Sequence, residues 1–340
     1  MKKYIFLSLI LVSFLSCIKT IDFNDEQYAN QLILNSIIWP DSAFQASLSK
    51  STSILENDYG PVYQIPDGAM DIYENNQLLA HLSSSTGKFR AANIKPKAGN
   101  TYRLVATSQG KQIEAETIIP LKAEVVSIDT SLVKNNSYQK TLFFDFKIKD
   151  TPGEDYYRIV LEYEYLAQIT SRDINNKEIK IYQLPRNINW GKISDDPVFK
   201  SVYSNSGGEI FDMAPDNRYN IFPDDIFNGK ERSIQVKANF TTYNLQNYGN
   251  IQTIYDRFTL HIQHISKDLY NYLKYLELYD YYHENPISEP VPVYSNIKNG
   301  AGIFAGFNDD ASYTFEKVYI PYSMDTIKIE GSPGYGGYVY

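Results

Sequence analysis

The stretch Tyr102-Arg-Leu-Val-Ala-Thr-Ser-Gln-Gly-Lys-Gln-Ile-Glu-Ala-Glu-Thr-Ile118 reads as a β-hairpin. Tyr102, Leu104 and Ala106 fall on one face of the first half, and Ile113 and Ala115 share a face of the second. Gln109-Gly110 supplies the turn between them. Upstream, Ala69–Tyr73 and Leu78–Leu82 flank an Asn75-Asn76 turn. Thr86-Gly87 precedes a short strand Lys88-Phe89-Arg90, and Pro96-Lys97-Ala98-Gly99-Asn100 turns the chain into the hairpin. Short strands punctuated by Gly, Pro and Asn at this spacing predict an antiparallel β-sandwich. Further out, Gln31–Trp39 reads as a strand broken by Pro40-Asp41, and Ala43–Lys50 can pair with it. The predicted sandwich, immunoglobulin- or transthyretin-like, covers residues 29–120.

Beyond Pro120 the pattern continues over a larger β-rich region, 121–330. Leu142, Phe144, Phe146 and Ile148 line one face of Thr141–Lys149. After an Asp150-Thr-Pro-Gly153 turn, Tyr157, Ile159, Leu161, Tyr163 and Tyr165 line one face of Tyr156–Leu166. Residues 167–232 read as a long polar loop, and Ser233–Thr241 and Asp256–Ile265 return to strand alternation. One amphipathic helix is predicted over about 266–282. Ser266 is its cap, Asp268 complements its dipole, Leu269, Tyr272, Leu273, Leu276 and Tyr279 or Asp280 form its apolar face, and Tyr270, Lys274 and Glu277 lie off it. The fold class predicted is therefore mainly β with one helix near the end.

The N-terminus carries a different signal. Lys2 and Lys3 precede the uncharged apolar run Tyr4–Leu15, and Leu15-Ser16-Cys17 follows. The run is too short for a membrane span, which needs roughly 20 residues. Cys17 is the only cysteine. The order predicts a lipoprotein signal peptide over 1–16, lipidation at Cys17 and a polar tether over 17–28. Cleavage would leave 324 residues, with 30 basic against 40 acidic side chains and a net charge near −10. That length predicts about two domains, and that charge disfavours nucleic acid as a partner. A single acyl chain anchors weakly, whereas several chains on one cysteine hold firmly. The 30 Tyr, against 17 Phe and 2 Trp, suit half-buried strands and contact surfaces alike. Residues 331–340 form a Gly/Tyr tail.

Several segments together resemble one family. They are Pro96–Leu104, Gly110–Ala115, Asp155-Tyr-Tyr-Arg158, Asp195-Asp-Pro-Val-Phe199, Asp225-Ile-Phe-Asn-Gly-Lys230 and, above all, Glu289-Pro-Val-Pro-Val-Tyr-Ser-Asn-Ile-Lys-Asn-Gly-Ala-Gly-Ile-Phe-Ala-Gly306. The pattern is similar to domain-of-unknown-function family 4249, lipoproteins of the Bacteroidota. The resemblance implies an outer-membrane location, at the cell surface, beside a TonB-dependent transporter in nutrient uptake. It supplies no catalytic residue. Lys19 intervenes before the first acid, Asp22, where surface-exported lipoproteins of this phylum often carry acids at once.

The remaining chemistry-bearing motifs read as structural. Gly300-Ala-Gly302-Ile-Phe-Ala305 fits G-x-G-x-x-A but is followed by turn and strand residues, so close backbone packing explains it better than a dinucleotide. His261 and His264 lie in a predicted strand, where odd spacing sends them to opposite faces. His81 and His283 are isolated. Asp195-Asp196 and Asp224-Asp225 are acidic pairs that could hold calcium if the fold joined them, though such residues commonly open turns. No catalytic residue, metal site or cofactor is assigned from sequence. The expected function is a non-enzymatic accessory lipoprotein that binds or passes ligand to the transporter. A structural or adhesive envelope protein and an enzyme acting on an extracellular polymer are the alternatives. Cys17→Ala is expected to move the protein from membrane to soluble fractions. Retention after high-salt and carbonate washing would show another anchor.

Overall fold

The structure, a computed structural model, describes residues 31–52, 65–172, 176, 178–183, 188–189, 193–203, 215–244, 246, 249–283 and 291–320. Seven strands come first: β1 (Leu32–Ile38), β2 (Phe44–Lys50), β3 (Gly68–Glu74), β4 (Gln77–Ser84), β5 (Lys88–Ala91), β6 (Thr101–Ser108) and β7 (Lys111–Ile118). The hairpin register pairs Leu104 with Ala115 and Ala106 with Ile113, as the alternation requires. Its turn residues, Gln109 and Gly110, both have positive φ, and so do Asn75 and Asn76 between β3 and β4. That geometry matches the twist of the flanking strands.

Nine further strands follow: β8 (Glu124–Lys134), β9 (Gln139–Lys149), β10 (Tyr156–Arg172), β11 (Glu178–Gln183), β12 (Ile188–Asn189), β13 (Ile221–Pro223), β14 (Glu231–Thr241), β15 (Ile251–Ile265) and β16 (Ala301–Val318). The one long helix among the described residues, α1 (Lys267–His283), lies between the last two. The fold is mainly β. Its sheets are a four-stranded β4-β3-β6-β7, a three-stranded β14-β9-β8, and a nine-stranded sheet ordered β11-β10-β15-β16-β1-β2-β5, with β12 and β13 paired to β10. No helix among the described residues is long and apolar enough to cross a membrane.

Two cores result. In the N-terminal one, β1, β2 and β5 face the four-stranded sheet around residues such as Leu34, Phe44, Ile72, Leu104 and Ile113. In the C-terminal one, β10 and β15 face β9 and β14 around Phe144, Leu161, Val236 and Phe258, with Leu269 and Leu273 of α1 joining. The regions on either side of Pro120 are not separate sheets. β1 runs parallel to β16, with Ile33 opposite Ala301 and Ile38 opposite Gly306. On β16, Phe304 is buried in the N-terminal core while its neighbours Ile303 and Ala305 are buried in the C-terminal one. One strand thus gives alternate side chains to two cores.

Several expectations change. Residues 167–232 contain more regular structure than a loop. β10 continues to Arg172 and pairs with β11, and Pro197–Lys200 forms a helical turn capped by Asp196, whose side chain accepts from the Val198 N–H at 3.1 Å. β11 lies at the edge of the nine-stranded sheet, and its Ile179 and Ile181 alternate with Glu178 and Lys180 over too few residues to stand out from the surrounding polar sequence. Helix α1 starts as predicted, with Ser266 Oγ accepting from the Leu269 N–H at 3.2 Å. Its buried face is rotated: Tyr270 and Glu277 are buried, and Tyr279 is exposed. Glu277 goes inward because the Tyr203 hydroxyl and the Arg218 N–H donate to it at 2.7 and 2.9 Å. The expected signal peptide 1–16, tether 17–28 with Cys17, and tail 331–340 lie outside the described residues.

The glycines that suggested a nucleotide motif permit the β1–β16 contact. A Cβ on Gly300 would sit 2.7 Å from Ile113 Cγ2, and one on Gly302 would sit 2.1 Å from the Leu34 carbonyl oxygen, at a φ of +108°. Gly302→Ala is therefore expected to cost at least about 3 kcal/mol. Gly110→Ala, where φ is positive but nothing lies within 4 Å, is expected to cost about 1 kcal/mol. Urea unfolding compares them, and equal losses would contradict the close-packing role.

Candidate functional site

Three carboxylates converge where the strands of the C-terminal region end. Asp150 follows β9, Asp155 precedes β10 and Asp224 follows β13. Each offers an oxygen, and these atoms all lie within 4.8 Å of one another. Asp150 and Asp224 are buried, and Asp155 is partly so. The two loops that carry them are bonded together. The Asp224 N–H donates to the Asp155 carbonyl at 3.0 Å, and the Asp150 N–H to the Lys230 carbonyl at 3.2 Å. Asn228 accepts from the Gly153 N–H at 3.3 Å and donates back to the Gly153 carbonyl.

The carboxylates differ in how well they are served. Asp150 accepts from the Tyr157 hydroxyl at 2.6 Å and the Gly229 N–H at 2.7 Å. Asp155 accepts from the Thr151 hydroxyl at 3.1 Å and lies 3.0 Å from His264 Nε2. The His264 ring places Nδ1 2.8 Å from the Leu121 carbonyl, which can only accept, so Nδ1 carries a hydrogen. The hydrogen bond donated by the His264 ring holds the Asp155 carboxyl below its usual range. Asp224 is 1% exposed, and its buried Oδ2 has no hydrogen-bond partner. Burial, reinforced by Asp150 and Asp155, pushes its carboxyl up to about 6. Such a cluster accommodates either a hard cation or a proton; three bare carboxylates at this separation repel.

The acidic pairs seen in sequence do not join each other. Asp195 meets Lys237 at 3.1 Å and Asp196 meets Arg232 at 2.8 Å, while Asp225 is exposed beside Asp224. The partners of Asp224 were not predicted. The Asp150-Thr-Pro-Gly-Glu-Asp155 turn carries two of the acids in one short segment, but nothing local announces a third from a distant loop.

His261 and His264 serve different carboxylates, as their odd spacing on β15 suggests. His264 stacks on Tyr157, ring centroids 5.1 Å apart. His261 Nδ1 lies 3.0 Å from Asp309, with Glu162 3.9 Å from its other nitrogen. His81 pairs with Asp71 at 2.6 Å, and His283 stacks near Tyr279. Two more buried acids are spent on structure. Asp256 accepts from the hydroxyls of Tyr163, Tyr319 and Thr242 at 2.7, 2.8 and 3.1 Å. Lys140 donates to those same Thr242 and Tyr319 hydroxyls, and Glu277 is held as described above. A shallow polar cavity of about 240 Å³ lies beside Asp195 and Lys237, and another of about 360 Å³ lies beside Lys140, both lined by residues other than the three acids.

The Asp309 carboxylate raises the His261 pKa above its ordinary value. The protonated ring therefore adds stability that is fully present below the unfolded value of about 6.5 and is lost as pH rises through the folded one. Asp309→Asn is expected to destabilise the protein more at about pH 5.5 than at about pH 9. An equal loss at both pH values in urea unfolding would show that the pair carries no charge-dependent stability.

Comparisons with known proteins place this geometry in context. No curated protein matches the chain. Among solved structures, the BSP domain of a biofilm-associated protein is 7% identical, with 88% of this chain and 61% of that one covered, at a TM-score of 0.19. The C-terminal globular domain of an oligosaccharyltransferase from Pyrococcus abyssi is 9% identical, with 63% and 49% covered, at a TM-score of 0.14. The chain thus spans about half to three fifths of those structures, and likeness at these scores carries no functional argument. Residues 18–312 match the family model described as a domain of unknown function, DUF4249. The chain belongs to that family.

Proposed function

We propose that this protein is a lipid-anchored outer-membrane accessory protein that binds or passes ligand to a TonB-dependent transporter, without catalysis of its own. The observation that carries the reading is the order Lys2-Lys3, apolar run, Ser16-Cys17 at the head of the sequence. It is the arrangement of an exported, lipidated chain. Family membership supports the reading through the company such lipoproteins keep. The buried acids Asp256 and Glu277, whose oxygens are taken up by tyrosine, threonine and backbone donors, have a structural role.

A contact surface is available on the solvent side of α1. Tyr275 and Tyr279 are exposed there, and Tyr275 stacks with Tyr294 at 6.3 Å. Tyrosines in such a position give apolar contact area with a polar tip, and aromatic residues are enriched in protein interfaces. The 167–232 region and the 331–340 tail, which also carry aromatics among Gly and Asn, are further candidates from sequence.

Affinity purification from native outer membrane in mild detergent tests the reading. A TonB-dependent transporter is expected to be recovered with the tagged protein. Recovery of the lipoprotein alone, while other transporter–lipoprotein pairs stay intact, would overturn it in favour of a structural or adhesive envelope role.

A further inference from the structure

We infer that Asp150, Asp155 and Asp224 bind a calcium ion, at the point where the linker from the N-terminal sandwich meets the C-terminal region. The decisive atom is Asp224 Oδ2, which is buried with no hydrogen-bond partner. A buried carboxylate oxygen left bare is costly, and native structures rarely keep one without a reason. Here it belongs to a set of three carboxylates that each present an oxygen within 4.8 Å of the others. Backbone N–H groups of Asp155 and Asp224 reach the Asp224 carboxyl but leave Oδ2 bare, and the oxygens of Asp150 and Asp155 that accept protein donors each keep a lone pair for a further ligand.

The donor set is all oxygen, which suits a hard cation. Calcium takes oxygens at about 2.3–2.6 Å, so ligands across the ion stand up to about 5 Å apart; magnesium at about 2.1 Å reaches only about 4.2 Å and demands a regular octahedron. Carboxylate oxygens within 4.8 Å of one another can share one calcium, whose flexible coordination demands no regular octahedron. Water would complete the coordination, since Asp155 is partly exposed. The site is preformed: Asn228 bonds both polar groups of Gly153, and Gly229 donates to Asp150. His264 ties it to the linker by reaching both Asp155 and the Leu121 carbonyl. An ion here would fasten three strand ends and the inter-region linker together.

The test is calorimetric titration of the full mature protein, stripped with chelator, using calcium chloride and, separately, magnesium chloride. One calcium per chain is expected, with magnesium at least tenfold weaker. Asp224→Asn preserves shape and removes a buried charge, so it is expected to melt at or above the stripped wild type yet lose at least tenfold in calcium affinity. Asp225→Asn, at the exposed neighbour, is expected to bind as wild type does. Should Asp224→Asn fail to fold, Asp155→Asn serves in its place with the same expected loss. Absence of a stoichiometric calcium heat, which a proton shared by the carboxylates would produce, overturns the proposal. So does equal binding of magnesium, or unchanged calcium binding in the Asp224 or Asp155 variant.

Discussion

The close approach of β16 to β1 is the constraint on which the rest of the structure depends. The two strands lie side by side and parallel although most of the sequence separates them. Parallel pairing of this range gains nothing until a long loop has closed, so contacts of high quality must reward it. Gly300 and Gly302 let the backbones meet, and Phe304 drives a full aromatic ring into the N-terminal core. Burying such a ring is worth roughly 2–3 kcal/mol. Its neighbours Ile303 and Ala305 do the same on the other face. The hairpins of the N-terminal sandwich can form locally, but their core is completed only by the last strand.

This explains which parts of the fold were legible in the sequence. The β6–β7 hairpin could be read because its signals are local: alternation on both strands, with a Gln109-Gly110 turn that accepts positive φ. The same holds for Asn75-Asn76 and for the Ser266 cap of α1. The union of β1 with β16 has no local signal, so the chain read as two successive regions. Glu277 reads as lying off the apolar face of the helix because its type says exposed, and only the Tyr203 and Arg218 donors make it a buried residue. The acidic cluster escaped for a related reason. Asp224 looked paired with Asp225 in sequence, whereas space pairs it with Asp150 and Asp155.

The charged interior is divided between two kinds of role. Asp256 and Glu277 are saturated with donors and serve packing. Asp224 is equally buried and under-served. Local inconsistencies of that sort are where function or a missing ligand is to be sought. Lys237 and Arg232, by contrast, occupy Asp195 and Asp196, which leaves that acidic pair as an ordinary loop anchor.

Native-state hydrogen exchange followed by mass spectrometry tests the shared strand most directly. If β16 binds both cores into one cooperative unit, peptides from β6 in the N-terminal core and β9 in the C-terminal core will open with the same free energy and the same dependence on denaturant. Exchange of the β6 peptide through a separate, lower-energy opening, while β9 and all of β16 stay protected, would contradict the account.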